Sequence, residues 1–269
     1  MTALSIITIN FNDAAGLERT IRSVAEQSVK EHELIVIDGG SSDGSTDVIK
    51  KYESSISSWV SEKDQGIYDA QNKGISRSKG KYLLFLNAGD HFHDKDVERD
   101  FLNFITSGEK KLIYGSARII DADGAERITS PPAVPDLDFW YANTITHQAV
   151  FFHSDLFSAL GKFKTEYRFG ADYDFLLRVF LAMPAEFKKM NRIICDYDNT
   201  GLTSKDEYHK MIIEERKKIM LTHVSKSEFR SMRSHYLAAL PFKRRYTVII
   251  RENPLLRNLL RPFYKLFFR

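Results

Sequence analysis

The chain has 269 residues, of which 43% are hydrophobic and 28% charged, a composition typical of one large globular domain with or without appendages. Its single cysteine, Cys195, excludes an intramolecular disulfide framework and a cysteine-rich zinc site. The net charge of +3 is uneven, because residues 226–269 hold 11 Lys and Arg against 2 Asp and Glu, and residues 1–225 hold 28 against 34. The two segments are predicted to present different surfaces.

The amino end, "MTALSIITINFN", has neither the basic start nor the long apolar run of a signal peptide. No stretch reaches the roughly 18 apolar residues that are needed to span a bilayer. We therefore expect a cytoplasmic location.

Strand and helix patterns alternate through residues 1–100. The runs "LSIITIN", "ELIVID", "ISSWVSE" and "KYLLFLN" are predicted strands. The intervening segments are predicted helices, the first with Asp13 as N-cap and the second over about 46–52, and the third is "GIYDAQNKGISRSKG". This alternation predicts βαβ units and a parallel sheet, which binds ligands beyond the carboxyl ends of its strands. Asn10, Asp38 and the segment 87–90 all fall at such ends.

The pattern changes after residue 100. "KLIYGSARIIDADGAERI" is a predicted hairpin that turns at 122–124. "TSPPAVPDLDFWYAN" contains three prolines and is predicted to have no regular structure. "ITHQAVFF" and "AEFKKMNRIICDYD" are predicted strands, "GADYDFLLRVFLA" is a predicted helix, and the chain from about Ser204 is predicted to be helical.

Three aspartates are candidates for chemistry, each with a structural alternative. Asp90 suits a divalent cation whose shell is completed by phosphates and water, or else it belongs to an ordinary Asn-x-Gly-Asp turn. Asp38 suits a nucleoside contact, or a tight turn in which Ser45 or Asp43 caps the next helix. Asp172 suits a general base, and simple helix-start charge is its alternative, as it is for Asp174.

Other signatures are missing or weak. No Gly-Lys-Ser/Thr follows the glycine loop after Asp38, so it is not a P-loop, and the three-glycine dinucleotide fingerprint is absent, which argues against an NAD-dependent enzyme. His91 and His93 are predicted to be loop or surface histidines rather than metal ligands.

Six segments occur in a familiar order: "SIITINFN", "ELIVIDGGSSDGS", "SEKDQGIYDAQNKGI", "GKYLLFLNAGD", "THQAVFF" and "GADYDFLLR". Over roughly residues 3–200 the chain resembles family 2 glycosyltransferases, particularly the bacterial group that builds O-antigen, capsule and exopolysaccharide. The resemblance implies an α/β GT-A fold, Rossmann-like, with a mainly parallel mixed sheet flanked by helices. It also implies inverting transfer of a sugar from a nucleotide diphosphate sugar, with UDP the nucleotide preferred by the family's habits.

The resemblance assigns roles by position. Asp90 is expected to hold a divalent cation, Mn²⁺ or Mg²⁺, on the donor diphosphate, Asp172 to be the catalytic base, and His147 and Gln148 to line the donor or acceptor pocket. The expected nucleotide-sugar contacts are Thr8, Asn10, Asp38, Asp64, Asn72, Asn87 and Gly89. A catalytic domain is expected over 1–203, with a nucleotide-binding half (1–100) and an acceptor-side half (101–203), followed by a helical basic tail (204–269).

The chain departs from the family pattern at several positions. Gly39 replaces a frequent second aspartate, Asn87 and Gly89 stand where many members have aspartates, and Ala171 replaces the glutamate before the expected base. These departures leave open an alternative from another class, a nucleotide-sugar-binding protein with a degenerate, non-catalytic site.

The final segment, "NPLLRNLLRPFYKLFFR", places leucines and phenylalanines on one side, with a basic residue at every fourth position. This pattern predicts peripheral binding to the cytoplasmic face of the inner membrane, and the alternative is packing on the body or on a second subunit. The apolar face argues against nucleic acid as the partner. A membrane location favours a polyprenyl-diphosphate-linked oligosaccharide as acceptor, and a soluble or protein acceptor is the alternative.

Overall fold

The computed structural model describes residues 2–201, 206–241, 245 and 248. The chain divides into two compact units: one comprises Met1–Pro135 and Thr144–His223, and the other comprises Asp136–Asn143 and the chain from Val224. The second unit contains two of the helices given below, α5 and α9. The predicted functional division at residue 203 stays a prediction.

Nine strands lie in one sheet within the described part of the chain. They are β1 (Leu4–Asn10), β2 (His32–Asp38), β3 (Ser58–Ser61), β4 (Tyr82–Phe85), β5 (His91–Phe92), β6 (Leu112–Ile120), β7 (Glu126–Ile128), β8 (Val150–His153) and β9 (Phe187–Asp198). The order is β3-β2-β1-β4-β8-β6-β9-β5, with β7 paired to β6. The first four strands are parallel, β8 is antiparallel to both of its neighbours, and β9 is parallel to β6.

The helices of the described residues flank this sheet or belong to the second unit. They are α1 (Ala14–Ala25), α2 (Ser45–Lys51), α3 (Ile67–Arg77), α4 (Val97–Thr106), α5 (Leu137–Ala142), α6 (Asp155–Leu160), α7 (Ala171–Ala182), α8 (Asp206–His223) and α9 (Lys226–Ala239). The predicted α/β fold with a mainly parallel mixed sheet is confirmed. No helix of these residues is both long and apolar enough to cross a bilayer.

The two helices next to β1 follow directly from the sequence. The side chain of Asp13 accepts a hydrogen bond from the Gly16 N–H at 2.8 Å and so caps α1, as predicted. On the other face of the sheet, Gly74 of α3 lies against Ile7, where an added Cβ would come 2.3 Å from Ile7 Cγ2. Only a residue without a side chain permits this approach, which brings the N-terminal half of α3 near the end of β1.

The predicted hairpin is confirmed, since β6 and β7 pair antiparallel around a turn at 121–125. Two other predictions are wrong in part. The segment after Pro135 is not irregular but forms α5, because its prolines all precede the helix and Asp136 caps it by accepting from the Phe139 N–H at 2.7 Å. The segment "ITHQAVFF" is a strand only from Val150, because His147–Ala149 form a 3₁₀ turn.

Candidate functional site: the carboxyl ends of the strands

The carboxyl ends of six strands of the described residues, β1–β4, β6 and β9, reach one edge of the sheet. β1, β2 and β4 are parallel, and β8 runs antiparallel to both β4 and β6, so β6 and its parallel neighbour β9 point the same way as β4. Asn10 and Asp38 are register partners at the ends of β1 and β2. The 87–90 turn follows β4, and Asp198 ends β9. Open sheets of this type bind ligands at such an edge.

Asp38 organises the loop that follows it. Its carboxylate accepts from Asn10 Nδ2 at 2.7 Å, from the hydroxyls of Ser41 and Ser61 at 2.6 Å each, and from the Ser41 N–H at 2.9 Å. Burial alone would raise the pKa of Asp38, but these hydrogen bonds outweigh it and hold the pKa below its ordinary value. The carboxylate is therefore ionised and already accepts several hydrogen bonds. A nucleoside would contact the loop that these hydrogen bonds hold in place as well as Asp38 itself.

The turn into α2 does not use the cap that the sequence suggested for Ser45. Gly44 is the N-cap and makes no side-chain hydrogen bond. The side chain of Asp43 instead accepts from the Ser45 N–H at 3.1 Å and from the Ala14 N–H at 2.8 Å, which joins this turn to the start of α1.

Asp64 fills the space left by the missing side chain at Gly39. A Cβ on Gly39 would lie 2.7 Å from Asp64 Oδ2 and 3.1 Å from the ring of Phe11. Many members of the family are expected to carry two consecutive aspartates at this place. This chain keeps the first, Asp38, and the carboxylate of Asp64, from the loop before α3, lies where the side chain of the second would begin. Asp64 therefore lies beside the strand-end loop, where a nucleotide contact is expected.

The remaining predicted nucleotide contacts differ in their availability. Asn72 is engaged at both ends of its amide, since it donates to the Phe163 carbonyl at 2.8 Å and accepts from the Phe163 N–H at 3.1 Å. Thr8 Oγ1 and Asn10 Oδ1 are buried and have no hydrogen-bond partner within the described residues. Gln71, which the sequence did not single out, donates to Asn87 Oδ1 at 3.3 Å, and its own Oε1 is likewise buried and unpartnered.

Thr20 of α1 holds the 87–90 turn through two hydrogen bonds of its hydroxyl. The Thr20 hydroxyl donates to the Asp90 carbonyl at 2.6 Å and accepts from the Gly89 N–H at 3.1 Å. Gly89 has φ +99°, a left-handed conformation that favours glycine, which explains why an aspartate is not found at this position. Thr20 was missed by sequence reasoning because it is 69 residues away from Gly89 along the chain.

Asp90 lies within this turn and is only 3% exposed. Its carboxylate accepts from Gln148 Nε2 at 3.1 Å and from the backbone N–H groups of Asn87 and Asp198, at 3.2 and 3.1 Å. Burial raises the pKa of Asp90 to about 7, and these hydrogen bonds offset only part of that cost. A buried carboxylate without a cationic partner suits a bound cation.

Asp198 brings a second carboxylate to the same turn. An added Cβ on Gly89 would lie 3.2 Å from Asp198 Oδ2, and this oxygen also accepts from Arg19 Nη2 at 3.1 Å. Within the described residues there is no cluster of three or more His, Cys, Asp or Glu side chains that could hold a metal. The donor set therefore fits a cation that takes most of its ligands from a bound phosphate group and water.

His91 and His93, which flank Phe92, both contact the carboxylate of Asp196. His93 Nδ1 lies 2.7 Å and His91 Nε2 3.3 Å from the carboxylate of Asp196, which also accepts from Arg118 Nε at 2.9 Å. The hydrogen bond to Asp196 raises the pKa of His91. The flanking histidines thus belong to an ion-pair cluster that ties β5 to β9 and β6.

The second chemical centre is at the start of α7. Asp172 Oδ2 lies 3.0 Å from His147 Nδ1, and Asp172 Oδ1 accepts from the Tyr68 hydroxyl at 3.0 Å. Burial alone would raise the pKa of Asp172, but hydrogen bonds from His147, the Tyr173 N–H and Tyr68 outweigh it and lower the pKa. Tyr68 was not predicted, although it lies inside the quoted "GIYDAQNKG" segment.

Asp174, two residues further along α7, has a different role. It is fully buried and pairs with Arg178 Nε at 2.8 Å, His223 Nε2 at 2.8 Å and Lys164 Nζ at 3.3 Å. His223 is the last residue of α8, so this cluster fastens α8 to α7. Asp172 lies at the polar edge, whereas the prediction of simple helix-start charge is wrong for Asp174, because its carboxylate is buried and paired with cationic side chains.

Comparison with known proteins agrees with this geometry. The chain matches the family model "Glycosyl transferase family 2" over residues 5–163. It is 34% identical over 210 residues to "Uncharacterized glycosyltransferase Rv1514c" of Mycobacterium tuberculosis H37Rv, with 76% of this chain and 78% of that protein covered. It is 31% identical over 206 residues to "PGL/p-HBAD biosynthesis glycosyltransferase Rv2957" of the same strain, with 73% and 77% covered.

A solved structure extends the comparison to the fold. Staphylococcus aureus TarS 1–349 in complex with UDP-GlcNAc matches with a TM-score of 0.66 at 14% identity, covering 87% of this chain and 71% of that chain. The chain belongs to glycosyl transferase family 2 and is a transferase that uses a sugar nucleotide. The predicted family and the GT-A fold are confirmed.

Proposed function

We propose that this protein is an inverting glycosyltransferase that moves a sugar from a nucleotide diphosphate sugar, with UDP the nucleotide, to an acceptor hydroxyl. The observation that carries the proposal is the pair of consecutive residues His147 and Gln148. Gln148 donates a hydrogen bond to Asp90, and His147 lies within hydrogen-bond distance of Asp172. The 3₁₀ turn that contains both residues therefore links the buried carboxylate of Asp90, which suits a cation, to the pair formed by His147 and Asp172. A displacement needs positive charge near the departing diphosphate and a proton acceptor for the attacking hydroxyl.

On the donor side, the protein's own residues position the diphosphate. Asp90, with Asp198 close by, would hold a divalent cation, Mn²⁺ or Mg²⁺, as enzymes of this family typically use one. When bound, such a cation neutralises charge on the departing diphosphate. The loop shaped by Asp38, together with Asp64 and the unpartnered oxygens of Thr8 and Asn10, supplies the polar surface for the nucleotide and sugar. UDP is favoured because the TarS relative binds UDP-GlcNAc.

On the acceptor side, the unit of Asp172, His147 and Tyr68 takes up the proton of the attacking hydroxyl. The hydroxyl oxygen forms its bond to the anomeric carbon on the face opposite the leaving diphosphate. One such displacement inverts the anomeric centre, and positive charge spreads over the sugar ring in the transition state, as it does in glycoside hydrolysis.

Thermal stability with nucleotides tests the donor site. A ligand that binds only the folded state raises the apparent stability by mass action. We expect UDP, rather than GDP, dTDP or CDP, to stabilise the purified protein in a Mn²⁺- or Mg²⁺-dependent manner. Asp90→Ala should abolish the effect, whereas Asp155→Ala, at a 64% exposed aspartate on α6, should keep it. No shift with any nucleotide and metal at millimolar concentration would contradict the proposal.

Turnover separates the enzyme from its main alternative, a nucleotide-sugar-binding protein with a degenerate site. Both would bind the nucleotide, so stabilisation by UDP alone does not distinguish them. The coupling of Asp90 to Asp172 through residues 147 and 148 favours the enzyme. Persistent UDP binding with no transfer to any acceptor and no release of UDP from UDP-sugars would favour the alternative.

The acceptor is proposed to be a lipid-linked saccharide in bacterial surface polysaccharide synthesis, such as O-antigen or capsule, met at the cytoplasmic face of the inner membrane. The support is the basic amphipathic pattern of residues 253–269, which lie outside the described residues. Deleting this segment should move the protein from sedimented anionic vesicles to the supernatant. Unchanged sedimentation would contradict the tail's proposed role and favour a soluble or protein acceptor.

A further inference from the structure

Arg19 of α1 is a cationic side chain beside the donor-side centre. Its Nη2 donates to Asp198 Oδ2 at 3.1 Å, and 47% of the Arg19 side chain is exposed. Thr20, the next residue of α1, holds the 87–90 turn through its hydroxyl. The guanidinium therefore lies at the strand-end edge, next to the turn that contains Asp90.

Asp198, the partner of Arg19, lies directly against Gly89. An added Cβ on Gly89 would come 3.2 Å from Asp198 Oδ2 and 3.3 Å from Asp198 Cβ. The Asp198 N–H donates to Asp90 Oδ1 at 3.1 Å, so the end of β9 is joined to the candidate cation ligand. The carboxylate of Asp198 is consequently a second one within reach of a cation bound at Asp90.

The two aspartates are satisfied in different ways. The donors to Asp90 are neutral, whereas Asp198 has a guanidinium on Oδ2 and the Thr200 N–H on Oδ1, the latter at 3.0 Å. The positive charge beside this centre is therefore supplied by the protein itself. A metal ion on Asp198 Oδ2 would repel the guanidinium from that oxygen, because like charges at such short range oppose each other strongly.

The ion pair between Arg19 and Asp198 is of a kind that exchanges easily. Both side chains are partly exposed, and such pairs contribute little to stability, because water screens them and ordering the long side chains costs entropy. A guanidinium also matches the geometry of a phosphate group, to which it can donate two parallel hydrogen bonds. Arg19 can therefore leave Asp198 at small cost when a diphosphate offers it a new partner.

We propose that Arg19 is a further donor-binding residue, which pairs with Asp198 in the free protein and binds a phosphate oxygen of the nucleotide diphosphate once a divalent cation replaces it at Asp198. This inference rests on the proposed function and adds a residue to its donor side. Asp198 stays neutralised in both states, by the guanidinium or by the cation. The exchange also disfavours cation binding without nucleotide, because Arg19 then loses one partner and gains no other.

The affinity for Mn²⁺ alone tests the first half of the exchange. Titrating Mn²⁺ with the full chain and following free Mn²⁺ by electron paramagnetic resonance measures this affinity without nucleotide or turnover. Arg19→Gln removes the competing charge, so we expect Mn²⁺ to bind about two- to fivefold more tightly than to wild type. Asp198→Asn removes the shared carboxylate and should weaken Mn²⁺ binding by at least about tenfold.

The affinity for UDP at saturating Mn²⁺ tests the second half. Arg19→Gln cannot make a charge-assisted hydrogen bond to the diphosphate, so we expect calorimetry to show UDP binding about tenfold more weakly than to wild type. The two expected changes have opposite signs, whereas a merely structural role for Arg19 would weaken both affinities. The control Arg22→Gln, at a 61% exposed arginine of α1 that pairs with Glu26, should leave both unchanged.

The proposal would be overturned if Arg19→Gln bound Mn²⁺ no more tightly than wild type does, or if it bound UDP equally well. Absence of Mn²⁺ binding at millimolar concentration in both wild type and Arg19→Gln would count against it in the same way. Failure of the proposed function has a different signature, because no nucleotide would then stabilise the protein with any metal. The titration with Mn²⁺ alone would still report on Arg19 in that case.

Discussion

The donor-side and acceptor-side centres use the same residue type to opposite effect. Asp90 is buried with neutral donors around it, and burial raises its pKa to about 7. Asp172 is also largely buried, but hydrogen bonds from His147 and Tyr68 lower its pKa. Burial does not by itself determine what an aspartate does; its partners do. The carboxylate of Asp90 therefore suits a bound cation, whereas the carboxylate of Asp172 is held in its ionised form by its hydrogen bonds.

The largest expected effect is on the acceptor side. Asp172→Asn should lower turnover by about 10²- to 10⁴-fold, because an amide cannot take up the proton of the acceptor hydroxyl. Nucleotide-dependent stabilisation should persist, since Asp90 and the Asp38 loop are untouched. Steady-state UDP release together with thermal stability measures both. Near-normal turnover would remove Asp172 from the mechanism.

The second effect concerns Asp90 and pH in metal-free buffer. In the unfolded chain an aspartate ionises near pH 4, whereas folded Asp90 ionises near pH 7, so wild type loses stability as pH rises between these values. Asp90→Asn avoids this loss. The two pKa values differ by about three units, each worth about 1.4 kcal/mol, so the free energy of unfolding of Asp90→Asn should rise relative to that of wild type by a few kcal/mol between these pH values. Urea unfolding at pH 4, 5.5 and 8 measures it, and a pH-independent difference would contradict the assignment.

The third effect tests the support of the 87–90 turn. Thr20→Val removes the hydroxyl that bonds the Asp90 carbonyl and the Gly89 N–H, leaving buried backbone groups unpaired at a cost of about 1–3 kcal/mol. Nucleotide binding should weaken with it. Thr106→Val, at an exposed hydroxyl that bonds the Asn103 carbonyl, is the matched control. Equal losses in the two variants would mean that Thr20 does not hold the turn.

The smallest effect is at the nucleotide loop. Gly39→Ala places a Cβ 2.7 Å from Asp64 Oδ2 and should displace that side chain, weakening nucleotide binding. In an Asp64→Ala background the same change should have no further effect, giving a coupling of about 0.5 kcal/mol or more. Gly201→Ala, in open space, is the control. Strictly additive losses would show that Asp64 and Gly39 act independently.

The parallel half of the sheet follows from local patterns, because short strand patterns alternate with helix patterns over residues 4–85. The antiparallel half depends on long-range pairing, and β8 lies between β4 and β6 although it follows them both in the chain. Helices α4 and α6 are absent from the predicted elements. The proline-rich segment misled the prediction of α5, because prolines before a helix start do not prevent it.

The site was predictable where residues sit at strand ends and hidden where tertiary contacts bring residues together. Asp38 and Asp90 were singled out because they follow strands, and Asp172 because it lies at a helix start, and their functional roles stay predictions. Thr20 and Tyr68 were not singled out, since a helical threonine and tyrosine have many structural roles. Asp198 was missed as well, yet a signal existed: it ends a predicted strand, and the rule that placed Asn10 and Asp38 applies to it equally.

The most direct test compares the two centres in one experiment, the stabilisation by UDP and Mn²⁺ of Asp90→Ala and Asp172→Asn beside wild type. The account predicts that Asp90→Ala loses the metal-dependent stabilisation and Asp172→Asn retains it, because only Asp90 belongs to the donor side. Loss in both variants, or retention in both, would contradict the division of the strand-end edge into a donor centre and a proton-accepting centre.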